Sequence, residues 1–474
     1  MGRFLVEVTQ LITHDEDGNP LKRRDQYWER IGMIDQYLRL NIILRFNDVS
    51  TWRIRCIPGT DQAKLLKPGR GVVIWYEGME EPLLSGRLTS IERYWDDSNR
   101  GPGSVDFIGH CDNQVLANHI WTPTPEWPTG SGSYTGRFDK AYDQQSDYSF
   151  RRMVLEISSQ QFGPLSEMFK YGQTYQGQDG KTYRRAGETE GYRTLPGYDL
   201  PTTTEPGVPG GLPHVDEYPV VSFKSRFDNM LEVFREKAAT AVDENGNIKP
   251  CGFRFVWDPE TKKITPKVFY PTAIEDAPEN TFSPELGNLI RFQYTIKEPG
   301  PNRAFFAFDG EGKDRNIHFF PTTNFNPDTG SAPVWPLDEW GTWKEEFLDR
   351  RDQPAPASLN DPDEKAAAEA EIKQAKLEFY EASKPVAALS MEVIDTEFFK
   401  FGRDYFLGDY VQVDIDGEMV TDILREVHLV EEEEGRFTIT PTVGTGDASE
   451  TPKIYQQVRA ITSRLDVIGK RHNG

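Results

Sequence analysis

Alternating apolar and polar residues make Phe398 to Gly446 the clearest structural pattern in the chain. Residues 410–415 alternate strictly, and Asp416-Gly417 follows as a two-residue hairpin turn that tolerates positive φ. Two further strands are predicted, one through Ile423, Val427 and Leu429 and one through Phe437, Ile439, Pro441 and Val443. The pattern predicts an antiparallel meander with one buried and one solvated face, and a solvated acidic turn at 431–435.

Short strands separated by turn signals also fill the N-terminal part of the chain. Alternation predicts strands at 4–8, on both sides of Asn47-Asp48 between 31 and 57, and at 71–77, 83–94 and 104–110. Residues up to 30 are expected to form a charged connector, and a short helical piece follows residue 112. Regularly spaced short strands are typical of a compact β-barrel or sandwich.

The composition changes between Glu126 and Pro219, where Gly, Pro, Tyr, Ser and Gln dominate. One helix is predicted there, at 149–162, and residues 171–213 contain almost no aliphatic side chains. Long segments of this kind are either functional or disordered. We expect an ordered, irregular arm whose tyrosines pack on a neighbour, with disorder as the alternative.

A small α+β unit is predicted after the arm. A helix over 222–242 carries one apolar stripe, and 252–257 pairs with 264–270 as a hairpin. The stripe consists of Phe227, Leu231, Phe234, Ala238 and Ala241. Strands at 290–296 and 304–308 follow, and then an irregular insert at 321–353 that contains Trp335, Trp340 and Trp343.

Two helices are predicted in the C-terminal third. Asp361-Pro362 is typical of a helix start, and the narrow stripe of small residues up to Ser383 favours packing on a surface rather than in a core. A strand at 387–395 then leads into the meander. Beyond the meander, a stripe with the four-three spacing of a coiled-coil seam consists of Ile454, Val458, Ile461, Leu465 and Ile468. This stripe either docks on its own domain or contacts another copy or a partner helix.

The charge balance is acidic, with 76 Asp and Glu against 54 Lys and Arg and a net charge of −22. This balance argues against a general nucleic-acid binder, which needs a basic patch to neutralise phosphates. It serves solubility, or it keeps a surface from adhering to passing DNA.

Cys56, Cys111 and Cys251 lie far apart in apolar or small surroundings, so we expect reduced core thiols and synthesis in a reducing compartment. Neither a signal-peptide core nor an apolar run of about 18 residues occurs, so no membrane span is predicted.

Motifs for chemistry are weak. His110-Cys111-Asp112 lacks metal-ligand spacing, and Asp309 to Arg315 lacks the full glycine spacing of a phosphate loop and is better explained as a turn. Glu431 to Glu434 lacks the ligand pattern of a calcium loop. The many carboxylates leave a glycosidase pair open, although none stands in an apolar stretch that would raise its pKa. We therefore expect no catalytic residue, no cofactor and no metal.

Several of these segments together resemble a known family. They are Leu65-Leu66-Lys67-Pro68-Gly69 with the following Gly86 strand, the helix at 223–241, Phe282 to Leu289, Gly310-Glu311-Gly312 with Arg315, and Tyr405 to Asp409 through Pro441 to Gly444. These segments occur in the order found in the hub-type minor tail proteins of long-tailed phages of actinobacteria, and the chain resembles that family. The family is related to the baseplate hub of contractile tails. The arm at 126–219 and the segment 321–383 depart from the family pattern.

The resemblance implies an α+β, mainly β chain with the phage tail hub fold. The expected parts are a β-barrel-like ring domain at 1–115, the arm or insertion at 116–219 and an α+β subdomain at 220–284. A second β-barrel-like ring domain would cover 285–446 with an insert at 321–384, and a C-terminal helix 447–474.

The resemblance also implies a function without enzymatic activity. A homotrimer would form a ring that joins the sixfold tail tube to the threefold tip and surrounds the DNA exit channel without stable DNA binding. Its expected partners are the distal tail protein, the tape measure protein and other minor tail or receptor-binding proteins, and its expected location is the virion tail tip. The alternatives are a tail-associated cell-wall hydrolase, although only about 28 residues follow Gly446, and a carbohydrate-binding adhesin, suggested by the Trp and Tyr residues of the inserts.

Overall fold

The computed structural model describes two compact units of the chain. It covers residues 3–96, 101–120, 140–145, 174–176, 182–184, 195–199, 220–225, 228–239, 241, 250–273, 279–298, 300–308, 315–321, 341, 343–349, 360–362, 365, 369, 372, 376, 379, 386–433 and 435–445. Unit 1 comprises Met1–Asn280, Glu392–Tyr410 and Leu424–Pro441, and unit 2 comprises Thr281–Met391, Val411–Ile423 and Thr442–Gly474. The five-part division and the ring domains stay predictions, because the compact units of one chain do not test them.

Unit 1 is built on a large antiparallel sheet. Its strands are β1 (Phe4–Ile12), β2 (Tyr27–Ile34), β3 (Arg39–Arg45), β4 (Thr51–Cys56), β5 (Arg70–Tyr76), β6 (Leu84–Tyr94) and β7 (Ser104–Cys111). They lie in the order β3-β4-β7-β6-β5-β1-β2. The predicted strands of this region are confirmed, and the predicted charged connector is wrong in part, since β2 begins within it at Tyr27. That strand escaped the pattern because only Trp28 and Ile34 are buried in it.

A helix and a hairpin complete the core of unit 1. Helix α1 (Gln114–Ala117) follows β7, strands β12 (Gly252–Trp257) and β13 (Ile264–Phe269) pair as predicted, and a helix, α2, spans Met230–Ala239. Buried residues of α2 and β12, Phe234 and Phe253 among them, share one apolar cluster with Leu116 of α1. The two phenylalanine rings meet edge to face with centroids 5.3 Å apart. Burial of such aromatic side chains is the main force that holds the helix against the hairpin.

The predicted start of the helix at Ser222 is wrong. Residues Val220–Ser225 form strand β11, which pairs with β8 (Lys140–Gln145). The predicted arm therefore contains strands, and β9 (Thr174–Gln176) pairs with β10 (Thr182–Arg184) in the same region. Phe227 of the predicted stripe and the predicted helix at 149–162 lie outside the described residues.

Unit 2 contains a three-stranded sheet with a helical segment against one face. Its strands are β16 (Arg303–Ala307), β17 (Ile317–Pro321) and β18 (Glu345–Asp349), and β16 lies between the other two. Strand β18 corrects the prediction of an irregular insert. Ile372 and Phe379 are helical and buried in one cluster with Ala304, Phe306 and Phe320. The prediction that this helix packs without forming a core is therefore wrong.

The remaining strands come from the end of the described chain. They are β14 (Thr281–Phe282), β15 (Leu289–Lys297), β19 (Val386–Val393), β20 (Tyr410–Ile415), β21 (Glu418–Glu432) and β22 (Phe437–Thr445). Asp416 and Gly417 both have positive φ, 55° and 87°, which confirms the predicted turn between β20 and β21. In unit 1, Glu426–Glu432 of β21 pair antiparallel with β3, so the predicted meander extends the N-terminal sheet.

Within the described residues, the architecture confirms a mainly β chain with few helices. Among the described residues, no helix is long and apolar enough to cross a membrane. All three cysteines are buried as free thiols, as predicted.

Candidate functional site

A row of polar side chains in unit 1 runs along one edge of strand β12. The other edge pairs with β13, so the N–H groups of alternate residues point away from that partner. Phe253 N–H donates to Asn47 Oδ1 at 2.9 Å, and Phe255 N–H donates to Asn113 Oδ1 at 2.8 Å. Trp257 N–H donates to Ser85 Oγ at 2.8 Å. We call Asn47, Ser85 and Asn113 the β12 polar ladder.

Each member of the β12 polar ladder also donates a hydrogen bond of its own. Asn47 Nδ2 donates to the Cys251 carbonyl at 2.8 Å, and Asn113 Nδ2 donates to the Asp48 carbonyl at 2.9 Å. Ser85 Oγ donates to Asp112 Oδ2 at 2.6 Å. All three side chains are buried, so these bonds replace the water that an exposed strand edge would bind. The ladder therefore fixes the hairpin on the N-terminal sheet.

Local structure at strand ends supplies the three ladder residues. Asn47 occupies the turn between β3 and β4 with φ at 55°, a conformation that asparagine tolerates better than most residues. Asn113 immediately follows β7, and Ser85 lies at the start of β6. The sequence pattern does not reveal these three residues as a group. The Asn47-Asp48 turn signal was the only available hint, because polarity alone does not identify a distant backbone partner.

Asp112 is the buried titratable group of this site. Desolvation raises the pKa of its carboxyl to about 6, while the hydrogen bond from Ser85 and the charge of Arg87 act in the opposite direction. The Arg87 guanidinium lies 4.9 Å from the ring centroid of Trp28 and 5.9 Å from that of Tyr198. Asp112 is thus an internal anion at neutral pH, with the Arg87 cation among its neighbours.

A cleft of about 130 Å³ opens beside Asp112 and is lined in part by His110, Cys111 and His119. Burial raises the pKa of the Cys111 thiol to about 12, and Ser50 N–H donates to Cys111 Sγ at 3.1 Å. A thiol with such a pKa stays protonated and is a poor nucleophile at neutral pH. Among the described residues, His, Cys, Asp and Glu do not gather in groups of three that could hold a metal.

A second polar cluster corrects the prediction of a solvated acidic turn at Glu431. This residue lies within β21 and is buried, and its carboxylate accepts hydrogen bonds from Tyr37 Oη and from the Arg3 N–H, the latter at 3.0 Å. Arg3 Nη1 also donates to Asp395 Oδ2 at 3.2 Å. Desolvation, followed by the neighbouring Glu431 carboxylate, raises the pKa of the Tyr37 phenol. The cluster ties the first strand to β21 within unit 1.

Both units expose several large apolar side chains. In unit 1, Tyr94 and Trp95 at the end of β6 are largely exposed, and Phe398 is 84% exposed. In unit 2, Ile317 and Phe347 are exposed on the three-stranded sheet. Exposed apolar groups of this kind commonly mark contacts with other chains or segments. The predicted contact residues Ile454, Val458, Ile461, Leu465 and Ile468 lie outside the described residues.

The chain matches a protein-family model. The model of the family described as Siphovirus ReqiPepy6 Gp37-like protein covers residues 21–136 and 192–445. The unmatched residues 137–191 fall within the predicted arm, whereas the segment 321–383, also expected to depart from the family, lies inside the matched range. No curated protein matches the chain.

Solved structures of tail proteins align with most of the chain at low identity. The tail protein from Neisseria meningitidis covers 94% of this chain and 98% of its own, with 9% identity and a TM-score of 0.43. The 43 kDa tail protein of prophage MuSo2 from Shewanella oneidensis covers 94% and 99%, with 9% identity and a TM-score of 0.41. The prophage tail protein gp18 from Listeria monocytogenes covers 97% and 99%, with 10% identity and a TM-score of 0.38.

Proposed function

The chain belongs to the Siphovirus ReqiPepy6 Gp37-like protein family, and on this premise we propose that it is a structural protein of a phage tail. The observation that carries the proposal is the family match over residues 21–136 and 192–445. The geometry is compatible with such a role, because the β12 polar ladder bonds backbone groups and the Glu431 cluster joins strands. Both arrangements stiffen the fold, which suits a protein that carries mechanical load.

In its specific form, the proposal is a homotrimeric hub at the tail tip. Three copies would form a ring around the DNA exit channel and join the sixfold tube to the threefold tip. Its partners would be the distal tail protein, the tape measure protein and the receptor-binding proteins. The net charge of −22 supports passage of DNA without adhesion, provided that acidic residues line the channel.

The mass of the purified assembly tests this proposal directly. We expect light scattering to give three times the 54.2 kDa mass of one chain at micromolar concentration. A monomer at tens of micromolar would contradict the hub. The same preparation should leave host cell wall intact in zymography, since clearing would support the hydrolase alternative. Saturable binding of the protein to host cell-wall carbohydrate would support the adhesin alternative instead.

A further inference from the structure

One face of the three-stranded sheet in unit 2 carries a row of aromatic side chains. The strand register places Phe319 of β17 and Phe347 of β18 on either side of Phe305 of β16. The rings of Phe305 and Phe319 have centroids 5.0 Å apart. Side chains directly opposite each other across strands share one face, so the three rings form a continuous apolar strip. We call this strip the phenylalanine face.

The phenylalanine face is open to solvent at its β18 end and beside β17. Phe347 is 57% exposed, and Ile317, two positions from Phe319 and therefore on the same side, is 53% exposed. Phe306 and Phe379 belong to the core on the opposite side of the sheet. On the phenylalanine face, Arg303 and Ala307 of the central strand β16 are also fully buried, so the open part of this face lies on β17 and β18. The sheet thus has one face covered by its own helical segment and one that remains partly uncovered.

Carboxylates flank the phenylalanine face along β18. Glu345 and Asp349 lie two positions on either side of Phe347, so their side chains emerge on the same side of the sheet, and both are exposed. Arg315 pairs with Asp349, and its guanidinium lies 5.5 Å from the Phe347 ring centroid. The Trp343 indole donates to Glu345 Oε1 at 3.0 Å. A ligand with an apolar centre and a basic margin complements this face, in addition to the pairing that Arg315 already gives Asp349.

The C-terminal segment of the same chain has that chemistry. Residues 452–471 carry five basic residues and one acidic residue, although the whole chain has a net charge of −22. If the segment forms the predicted helix, each residue advances by about 100° around its axis. Lys453, Arg464 and Arg471 then fall together along one side of the apolar stripe formed by Ile454, Val458, Ile461, Leu465 and Ile468.

We propose that residues 452–471 dock as an amphipathic helix on the phenylalanine face of their own chain. The apolar stripe covers Phe305, Phe347 and Ile317, and the basic side lies along the carboxylates of β18. Ile454 follows Thr445 of β22 by nine positions, so the connecting segment spans up to about 30 Å when extended. Thr445 and the face also belong to the same unit. Such a short connection favours intramolecular docking through a high effective concentration.

A peptide tests the surface. A synthetic peptide of residues 450–471 should bind the chain truncated after Gly446 and should not bind the full chain, whose own segment occupies the face. Phe347→Ser in the truncated chain should weaken binding at least tenfold. Phe398→Ser removes an even more exposed phenylalanine from unit 1 and should leave binding unchanged. Equal loss with both variants, or no binding to the truncated chain, overturns the proposal.

Cysteine cross-linking tests whether docking is intramolecular. Phe347→Cys combined with Ile461→Cys in the full chain should form a disulfide within one chain, seen as a faster-migrating monomer on non-reducing gels. The native cysteines are buried and should not compete. Ser463→Cys in place of Ile461→Cys is the control, because Ser463 lies on the side of the helix opposite the stripe and should cross-link at least fivefold more slowly. Cross-linked dimers without the monomeric product would assign the face to a second copy and overturn docking within one chain.

Discussion

At the residue scale, the buried carboxyl of Asp112 links the β12 polar ladder to pH. Ordinary aspartate has a pKa of 3.8, and burial raises that of Asp112 to about 6, so the folded chain binds this proton more tightly than the unfolded chain does. The contribution of Asp112 to stability is therefore greatest below about pH 4 and is lost as pH rises to about 6. At neutral pH the buried charge costs roughly 3 kcal/mol, at about 1.4 kcal/mol per pKa unit.

We predict that Asp112→Asn stabilises the chain at pH 7.5. The amide oxygen can still accept the hydrogen bond from Ser85, and the buried charge disappears. The free energy of unfolding in urea should rise by about 1 to 3 kcal/mol at pH 7.5, with little gain at pH 4. The difference between variant and parent should appear between about pH 4 and pH 6. A difference that is constant with pH would contradict the prediction.

Asp106→Asn provides a control with the opposite sign. The ion pairs with Arg55 and Arg53 lower the pKa of Asp106. Asp106 therefore stabilises the folded chain at neutral pH, and this contribution is lost as the pH falls from the ordinary pKa of aspartate through the lowered pKa of Asp106. This variant should destabilise the chain at pH 7.5 and approach the parent under acid conditions. The two aspartates thus separate burial from ion pairing as causes of pH dependence.

At the element scale, the β12 polar ladder takes the place of a neighbouring strand. Backbone groups at an unpaired strand edge need partners, and in β12 three side chains from the N-terminal sheet supply them. Asn113 serves two backbone groups, the Phe255 N–H and the Asp48 carbonyl. Loss of its amide leaves the buried Phe255 N–H and the part-buried Asp48 carbonyl without these bonds.

We predict that Asn113→Ala destabilises the chain by about 2 to 4 kcal/mol, because each unsatisfied buried polar group costs about 1 to 3 kcal/mol. Hydrogen exchange should show faster exchange at the Phe255 amide. Asn118→Ala is the matched control, since Asn118 is exposed and bonds only the Gln114 side chain through its amide oxygen. Its effect should stay within about 0.5 kcal/mol. Unchanged protection of Phe255 in Asn113→Ala would show that the ladder does not hold β12.

Elements whose burial alternates locally could be predicted from sequence, and elements held by distant partners could not. Strands β3 and β4 alternate between buried and half-buried residues, so their period of two was visible. The pairing of β11 with β8 joins residues about 80 positions apart. The apolar stripe that follows β11 led to the prediction of a helix from residue 222 onward. Strand β18 has only exposed and half-buried residues and is defined by its parallel partner β16. The ladder was missed for the same reason, since Asn113 and Phe255 are 142 positions apart.

At the scale of the whole molecule, charge should oppose assembly of the trimer and favour docking of the C-terminal segment. A net charge of −22 per chain makes association of like copies electrostatically costly, and dissolved salt screens that repulsion over about 10 Å at 0.1 M. Docking of the basic C-terminal segment against the carboxylates of β18 is an attraction between opposite charges, which the same salt weakens.

We therefore predict that raising NaCl from 20 to 300 mM strengthens the proposed trimer and weakens docking of the C-terminal peptide. Mass photometry at nanomolar concentration should show a larger trimer fraction at high salt, while the dissociation constant of the peptide for the truncated chain should rise severalfold. Sucrose at equal osmolality is the control for docking, since it does not screen charge and should not weaken binding of the peptide. A trimer that dissociates on addition of salt would mean that intersubunit ion pairs outweigh the repulsion between acidic copies, and the long-range charge would then not be what limits assembly.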